Sequence, residues 1–365
     1  MRIALVAPLV TSIAQPYTGG AQAIIADLAQ GMQRRGHEVT LFARVGSEVP
    51  GIHIEPVYVP DSVTPSQFSE PGRAQSLDPG FTEQLNVFLE LYLQLRQRSA
   101  EFDVIHAHAF DYPSFAYSTL VTAIPVLHTV HLPAISPEVN GVLQLLERQG
   151  HPLTLITVSQ ACVQAYSEYT CFDHAIYNGL DLQAIPFVPE VDEDAPLLFA
   201  GRITPEKGVA EAIAIAERAG RHLMLAGGIY DQHYYHEVVV PCLTRAKDRV
   251  SYLGQLDHET LWRLMGEASA LLFPIAWDEP FGLTPVEAMA AGTPVIAFNR
   301  GAAAEVIQHE RTGFLVDPGD IQAAAAMVAR VSSLKRADCR AHVQANFSLR
   351  SMLDAHERLY LSVSD

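Results

Sequence analysis

Positive charge is what this chain has least of. It carries 24 Lys and Arg against 41 Asp and Glu, a formal net charge of -17 over 365 residues. Affinity for a nucleic-acid backbone comes from clustered cations that release counterions, so no nucleic-acid partner is expected and any anion site must be local. Cysteine is also scarce: Cys162, Cys171, Cys242 and Cys339 form no Cys-x-x-Cys pair. That spacing excludes a disulfide framework and a zinc knuckle, and fits a reducing, cytoplasmic setting. No apolar run reaches transmembrane length, and the first one, Met1 to Ala7, breaks at Pro8 with no cleavage-like site after it. It reads as a strand, not a signal. Also lacking is a G-x-G-x-x-G turn, and the second apolar run ends Leu41-Phe42-Ala43-Arg44 without an acidic ribose contact. This argues against nicotinamide chemistry.

What is present is a chain 49% hydrophobic, enough for a substantial core, with a length that suits two domains. Short β-branched runs alternate with amphipathic stretches, the pattern of parallel strands joined by crossover helices. Strands are expected at Ile3 to Ala7, Val39 to Ala43, Val104 to Ala107, Val126 to Thr129 and Leu155 to Val158. A second series runs Pro196 to Ala200, His222 to Ala226, Val250 to Leu253, Ala270 to Phe273 and Pro294 to Ala297, with Phe314 to Val316 weaker. The helix-like stretch Phe81 to Arg98 offers Leu85, Phe88, Leu89, Tyr92 and Leu95 to a core. Pro60 to Pro79 reads as a loop. Three prolines and an acidic run between Pro186 and Pro196 oppose regular structure and mark a hinge. The expected domains are therefore 1–186, 187–345 and a C-terminal helical segment, 346–365, packing back on the first. In such α/β folds ligands bind beyond the carboxyl ends of strands, so function is expected in strand-end loops facing a shared cleft.

Several of those loops carry chemistry. Gly19-Gly20 precede a helix-like stretch; the pair reads equally well as a tight turn or as backbone amides open to an anion. Gly201-Arg202-Ile203-Thr204-Pro205-Glu206-Lys207-Gly208 puts a guanidinium and an ammonium in one strand-end loop, where both can reach a diphosphate. Alternatively they are solvated charges, or Lys207 pairs with Glu206 or Glu211. In the stretch from Trp277 to Pro294, Thr284, Pro285 and Glu287 fit the N-cap, first and third positions of a capping box, so Glu287 has a structural explanation. Glu279 has none. Histidines gather in Ile105-His106-Ala107-His108 and His128-Thr129-Val130-His131; no third ligand stands at a fixed offset, so no metal site is expected. His106 is expected to be packed, His131 to face the cleft. Asp192-Glu193-Asp194 reads as a solvated linker.

Taken together, these residues resemble the retaining glycosyltransferases of family 4, whose two Rossmann-like α/β domains form the GT-B fold. Glu279 and Glu287 match the E-x7-E signature, Gly201 to Gly208 the diphosphate loop, Asn178-Gly179-Leu180-Asp181 the "NGxD" segment, and His131 the cleft histidine. The resemblance implies a nucleotide-diphosphate sugar as donor, UDP- or GDP-linked, and a small-molecule, glycan or glycolipid acceptor chosen by the Thr11 to Thr18 and Pro60 to Pro79 loops. It further implies that Arg202 and Lys207 neutralise the diphosphate, that Glu287 holds ribose hydroxyls, and that Glu279 contacts the transferred sugar. Amides of Phe281, Gly282 and Leu283 complete the cradle, with Gly19 and Gly20 also on the donor. No cofactor or metal is implied, and configuration is retained. Two departures stand out: Ala302-Ala303-Ala304-Glu305, where members often carry a second glycine, and Gln22 after the glycine pair. The alternative on the same fold is an enzyme like the UDP-N-acetylglucosamine 2-epimerases.

Overall fold

Apolar runs too short for buried helices but rich in Val, Ile and Leu become strands buried on both faces, as parallel sheets require. The computed structural model describes residues 1–17, 19–61, 79–151 and 153–364, and divides them into two units, Met1–Tyr177 with Met352–Asp365, and Asn178–Ser351. Residue 18 and residues 62–78, in the two loops expected to select the acceptor, lie outside the described residues.

In the first unit β1 (Arg2–Val6), β2 (Glu38–Arg44), β3 (His53–Val57), β4 (Val104–Ala107), β5 (Val126–Val130), β6 (Thr154–Thr157) and β7 (His174–Ala175) form one sheet ordered β3-β2-β1-β4-β5-β6-β7. All its pairings are parallel. The two edge strands were not anticipated. β3 carries Pro56, which cannot donate to a ladder and is tolerated only at an edge; β7 is two residues long. The helix Pro79–Gln97 buries Phe88, Tyr92 and Leu95 against Val6, Phe42 and Ile105 of the sheet. The last helix, Leu349–Ser364, belongs to this unit from Met352 onward. Arg35 grips Asp354 and Glu357 there, both at 2.6 Å, and His37 meets Glu357 at 2.8 Å.

In the second unit β8 (Leu197–Ala200), β9 (Leu223–Ala226), β10 (Val250–Gly254), β11 (Ala270–Phe273), β12 (Val295–Phe298) and β13 (Gly313–Val316) give a parallel sheet ordered β10-β9-β8-β11-β12-β13. Its core joins Phe199, Leu225, Leu272, Ile296 and Phe314 from the strands to Val209, Ile213 and Ala216 from the helix Val209–Ala219. The unit begins at Asn178, ahead of the proline-rich stretch. Leu180 exchanges main-chain hydrogen bonds with Phe347 and Leu349 at 2.9 and 2.8 Å, and Arg340 donates to the carbonyls of Leu182 and Ile185. Val188 is held by Ala291 and Arg336. The acidic Asp192-Glu193-Asp194 is exposed, as are Pro186, Phe187, Pro189 and Glu190.

Each sheet winds outward in both directions from a central pair, β1 and β4 in one, β8 and β11 in the other. At such a reversal the loops leaving the two strands diverge and open a crevice beyond their carboxyl ends.

Candidate functional site

The reversal in the second unit is occupied by the two loops that carry the charged motifs. After β8 the chain turns through a 3-10 segment, Pro205–Lys207, and Gly208 ends it at φ 74 before the helix Val209–Ala219. A side chain there is excluded twice, since a Cβ would also lie 1.9 Å from the Pro274 carbonyl oxygen. The close approach ties the loop to the one after β11, where the Ala276 amide donates to the Glu206 carbonyl at 2.8 Å. Lys207 is thereby delivered to Glu279: Nζ to Oε2 is 2.6 Å, with both side chains about 15% exposed. Neither Glu206 nor Glu211 is its partner. The Trp277 indole Nε1–H donates to the same Glu279 oxygen at 2.7 Å, and the ammonium sits 4.9 Å from the Trp277 ring centroid. A desolvated cation over an aromatic face gains from the ring quadrupole as well as from the carboxylate.

Glu279 is fixed from behind. Its carbonyl accepts from the Ala302 amide at 2.9 Å, and a Cβ on Gly301, at φ 54, would fall 2.4 Å from the Glu279 main-chain N and O. Arg300 reinforces the contact through Asp278 at 3.1 Å and the Ala276 carbonyl at 2.6 Å. Arg202 is the more accessible cation. It lies 45% exposed, 3.5 Å from Glu206 and 5.5 Å from the Tyr230 ring centroid, free to swing toward an anion at small cost.

The capping-box expectation is corrected here. The helix Leu283–Ala291 starts one residue before Thr284, and its cap is Gly282 at φ 92, with no side-chain cap. The first-turn amides at the carboxyl end of β11 therefore keep the positive end of the helix unneutralised by a cap, a favourable place for an anion. Phe281, buried, anchors the turn edge-on against Phe347 at 5.6 Å between centroids. Glu287 is not the cap. It accepts from Trp262 Nε1–H at 3.1 Å, and burial pushes its carboxyl up to about 7, opposed only by that bond.

The first unit meets its reversal with different groups. The helix Gly20–Arg34 follows Gly19 directly, but the Gly19 amide donates to Gln22 Oε1 at 3.3 Å, and Gln22 Nε2 donates in turn to Ser12 O at 3.1 Å and to Thr11 Oγ1. The imidazoles stand in and just beyond β4 and β5, joined by His356 of the last helix. His106 is fully buried, bonded to Tyr360 at 2.6 Å and Thr129 at 2.7 Å. His131 is partly buried and 2.9 Å from His108 Nδ1, and the His356 ring lies tilted against His106 at 5.4 Å between centroids. Burial drives every one of these rings toward the neutral form: His131 and His356 down to about 4, His128 to about 3, His106 and His108 well below the ordinary value. Among the described residues no group of three or more His, Cys, Asp or Glu is arranged to hold a metal ion, and no helix is long and apolar enough to cross a membrane.

Sequence reasoning thus found Arg202, Lys207, Glu279 and Glu287 but not their supports. Trp262, Tyr230, Arg300 and Gly301 lie outside the motifs. Trp262 is one of only two tryptophans, which is the one signal that singled it out.

Comparisons with known proteins align with this geometry. Residues 18–184 match the family described as Glycosyltransferase Family 4, and residues 183–346 that described as Glycosyl transferases group 1. A glycogen synthase of Mycobacterium tuberculosis is 30% identical over 299 residues, covering 73% of this chain and 70% of the relative. A phosphatidyl-myo-inositol mannosyltransferase of the same species is 27% identical over 339 residues, covering 89% and 85%. Among solved structures, a sucrose-phosphate synthase from Thermosynechococcus elongatus superposes with TM-score 0.80 at 22% identity, over 99% of this chain and 98% of that one. Anabaena HepE, solved with UDP and glucose, gives TM-score 0.74 at 20% identity over 99% and 100%.

Proposed function

Because the chain belongs to the family 4 glycosyltransferases of GT-B fold, we propose that it moves a hexose from a UDP- or GDP-linked donor to a hydroxyl of a small molecule, glycan or glycolipid, with retention. The observation that carries this reading is the Lys207–Glu279 contact at the strand reversal, with the helix bearing Glu287 beginning just beyond it. One strand reversal thus brings together an ammonium, a carboxylate and a helix start without a side-chain cap.

In this scheme the diphosphate draws Lys207 and Arg202, and Glu279, released from its ion pair, accepts from sugar hydroxyls. Amides of Phe281, Gly282 and Leu283 bind the phosphate, and Glu287 the ribose. As the bond from the anomeric carbon to the phosphate oxygen breaks, negative charge grows on that oxygen, where fixed cations and dipoles stabilise it best. The acceptor oxygen bonds the anomeric carbon on the same face, and its proton passes to the departing phosphate oxygen. Arg202 and Lys207 supply the charge a metal would otherwise bring, so a chelator should leave the rate unchanged.

The test is a panel of UDP- and GDP-sugars with and without candidate acceptors. Nucleoside diphosphate should appear only with acceptor, and the anomeric proton coupling of the product should report an α linkage from an α-linked donor. A β-linked product overturns retention, and release without any acceptor overturns transfer.

A further inference from the structure

The helix His258–Glu267 connects β10 to β11 and packs beside the helix Leu283–Ala291. Across that pair Trp262 reaches Glu287, and the indole is itself seated by the His258 ring at 5.4 Å between centroids. An indole N–H can only donate. Aimed at a carboxyl it favours the ionised form and fixes its orientation, occupying Oε1 and leaving Oε2 for a ligand.

We propose that Trp262 is a positioning residue of the nucleotide site, holding one oxygen of Glu287 so that the carboxylate stays charged and turned to accept from a ribose hydroxyl of a nucleoside diphosphate. This deepens the proposed function and rests on its assignment of Glu287 to the ribose.

Among the described residues, no other side-chain contact does the same work at Glu287. Glu287 is the one titratable residue on its own helix. On the helix His258–Glu267, Arg263 pairs with Glu267 at 2.8 Å, His258 lies against Trp262, and Asp257 caps the helix ahead of Glu259. On the helix Arg336–Asn346, Arg336 is spent on the carbonyls of Val188, Gly266 and Ala268 and on Thr293, and Arg340 on those of Leu182, Ile185 and Ala290. His342 meets the Val306 carbonyl, the Cys339 thiol donates to the Thr312 carbonyl, and Asp338 lies 3.9 Å from Arg311. Strands β11 and β12 carry no titratable side chain. The Trp262 hydrogen bond is the opposing influence on a carboxyl that burial pushes up to about 7. Nucleotide affinity should therefore fall as pH drops through that value, when the protonated carboxyl stops being a strong acceptor.

Trp262 and Trp277 are the two tryptophans of the chain, so Trp277→Phe leaves Trp262 as the sole emitter. Its fluorescence should titrate near pH 7 and become flat when Glu287→Gln is added. Emission indifferent to pH, or titrating unchanged after Glu287→Gln because His258 alone is responsible, overturns the proposal. Calorimetry with whichever of UDP and GDP the wild type binds supplies the functional arm. In Trp262→Phe the midpoint of the affinity profile should move up by about one pH unit, a roughly tenfold loss near neutrality that vanishes in alkali. A uniform loss at every pH would mean packing only and overturns it. Should Glu287→Gln leave nucleotide affinity and its pH profile untouched while the fluorescence coupling persists, the ribose assignment fails, and the proposal with it, although the Trp262 contact stands.

Discussion

The two sheets share a winding pattern and differ in what they place at its reversal. In the second unit charges meet: Lys207 on Glu279, Arg202 on Glu206, Arg300 on Asp278. In the first, buried imidazoles meet one another and a tyrosine, His108 on His131 and His106 on Tyr360, all held neutral by burial. A site for a diphosphate needs compact, weakly compensated cations that can change partner. A site for neutral hydroxyls needs donors and acceptors without a field that would compete for the anion. Under the proposed function the same α/β frame would serve both needs, because the sheet fixes only where strands end.

The largest expected effect breaks the charged side. Arg202→Ala or Lys207→Ala should each lower kcat/KM by about 10²-fold or more, the usual loss for one strong electrostatic donor at a developing oxyanion. Near-wild-type turnover in both variants would remove the diphosphate assignment. The ion pair makes a finer distinction: Lys207→Ala also strands Glu279 with Trp277 as its sole hydrogen-bond partner of the present pair, so it should weaken donor binding more than Arg202→Ala does.

Next comes the backbone that brings the two charged loops together. Gly208→Ala sets a Cβ 1.9 Å from the Pro274 oxygen at φ 74, whereas Gly220→Ala, at φ 67, meets nothing within 4 Å. Left-handed strain alone costs roughly 1–3 kcal/mol. Chemical denaturation should therefore show Gly220→Ala within that range and Gly208→Ala beyond it, with lost activity; equal losses would mean the loop contact is slack.

How much of this was legible follows the same division. Strand runs such as Ala270–Phe273 are apolar on both faces and announced themselves, and scarce cations in an acidic chain drew attention to Arg202 and Lys207. β3 stayed hidden because Pro56 reads as a breaker unless one knows it lies at an edge. The partner of Lys207 stayed hidden because Glu279 is 72 residues away, and local reasoning offered Glu206 and Glu211 instead. The capping box was misplaced because a left-handed Gly282 starts the helix earlier than Thr284, and side-chain caps are read from sequence more easily than backbone ones. The histidine cluster was seen as two separate pairs. His356 and Tyr360, which complete it, arrive from the far end of the chain.

Acid should separate the two units. The buried histidines of the first have folded-state pKa values below the unfolded value of about 6.5, so the unfolded chain binds more protons there. Their contribution is intact above that pH and is lost as pH falls toward the folded-state values. Hydrogen exchange, corrected for intrinsic rates, should show protection failing in residues 1–177 before 178–351. His128→Phe should reduce the effect, because His128 has no partner for either ring nitrogen and stacks on Phe115 at 4.7 Å. Simultaneous loss of protection in both units would count against this origin.

The smallest effect sharpens the comparison at Glu287, where the charged site contains one group that resists its charge. Burial raises its carboxyl to about 7, above the unfolded value of about 4.5, so the folded chain binds the extra proton and stability falls as pH rises between those values. Ionised Glu287 is thus a burden on the fold, as groups kept for function often are. Glu287→Gln keeps an oxygen to accept from Trp262 and removes the charge. At about pH 8 it should match or exceed the wild type in stability by about 1 kcal/mol, a figure reduced for the partial exposure of the side chain, while binding nucleotide more weakly. At about pH 4, below both the unfolded and the folded value, Glu287 is largely protonated in either state and the stability difference should shrink toward zero. Thermal or urea denaturation at the two pH values, with and without nucleotide, reads all four quantities. An early-melting variant with normal nucleotide binding would show that Glu287 serves the fold instead of the ligand.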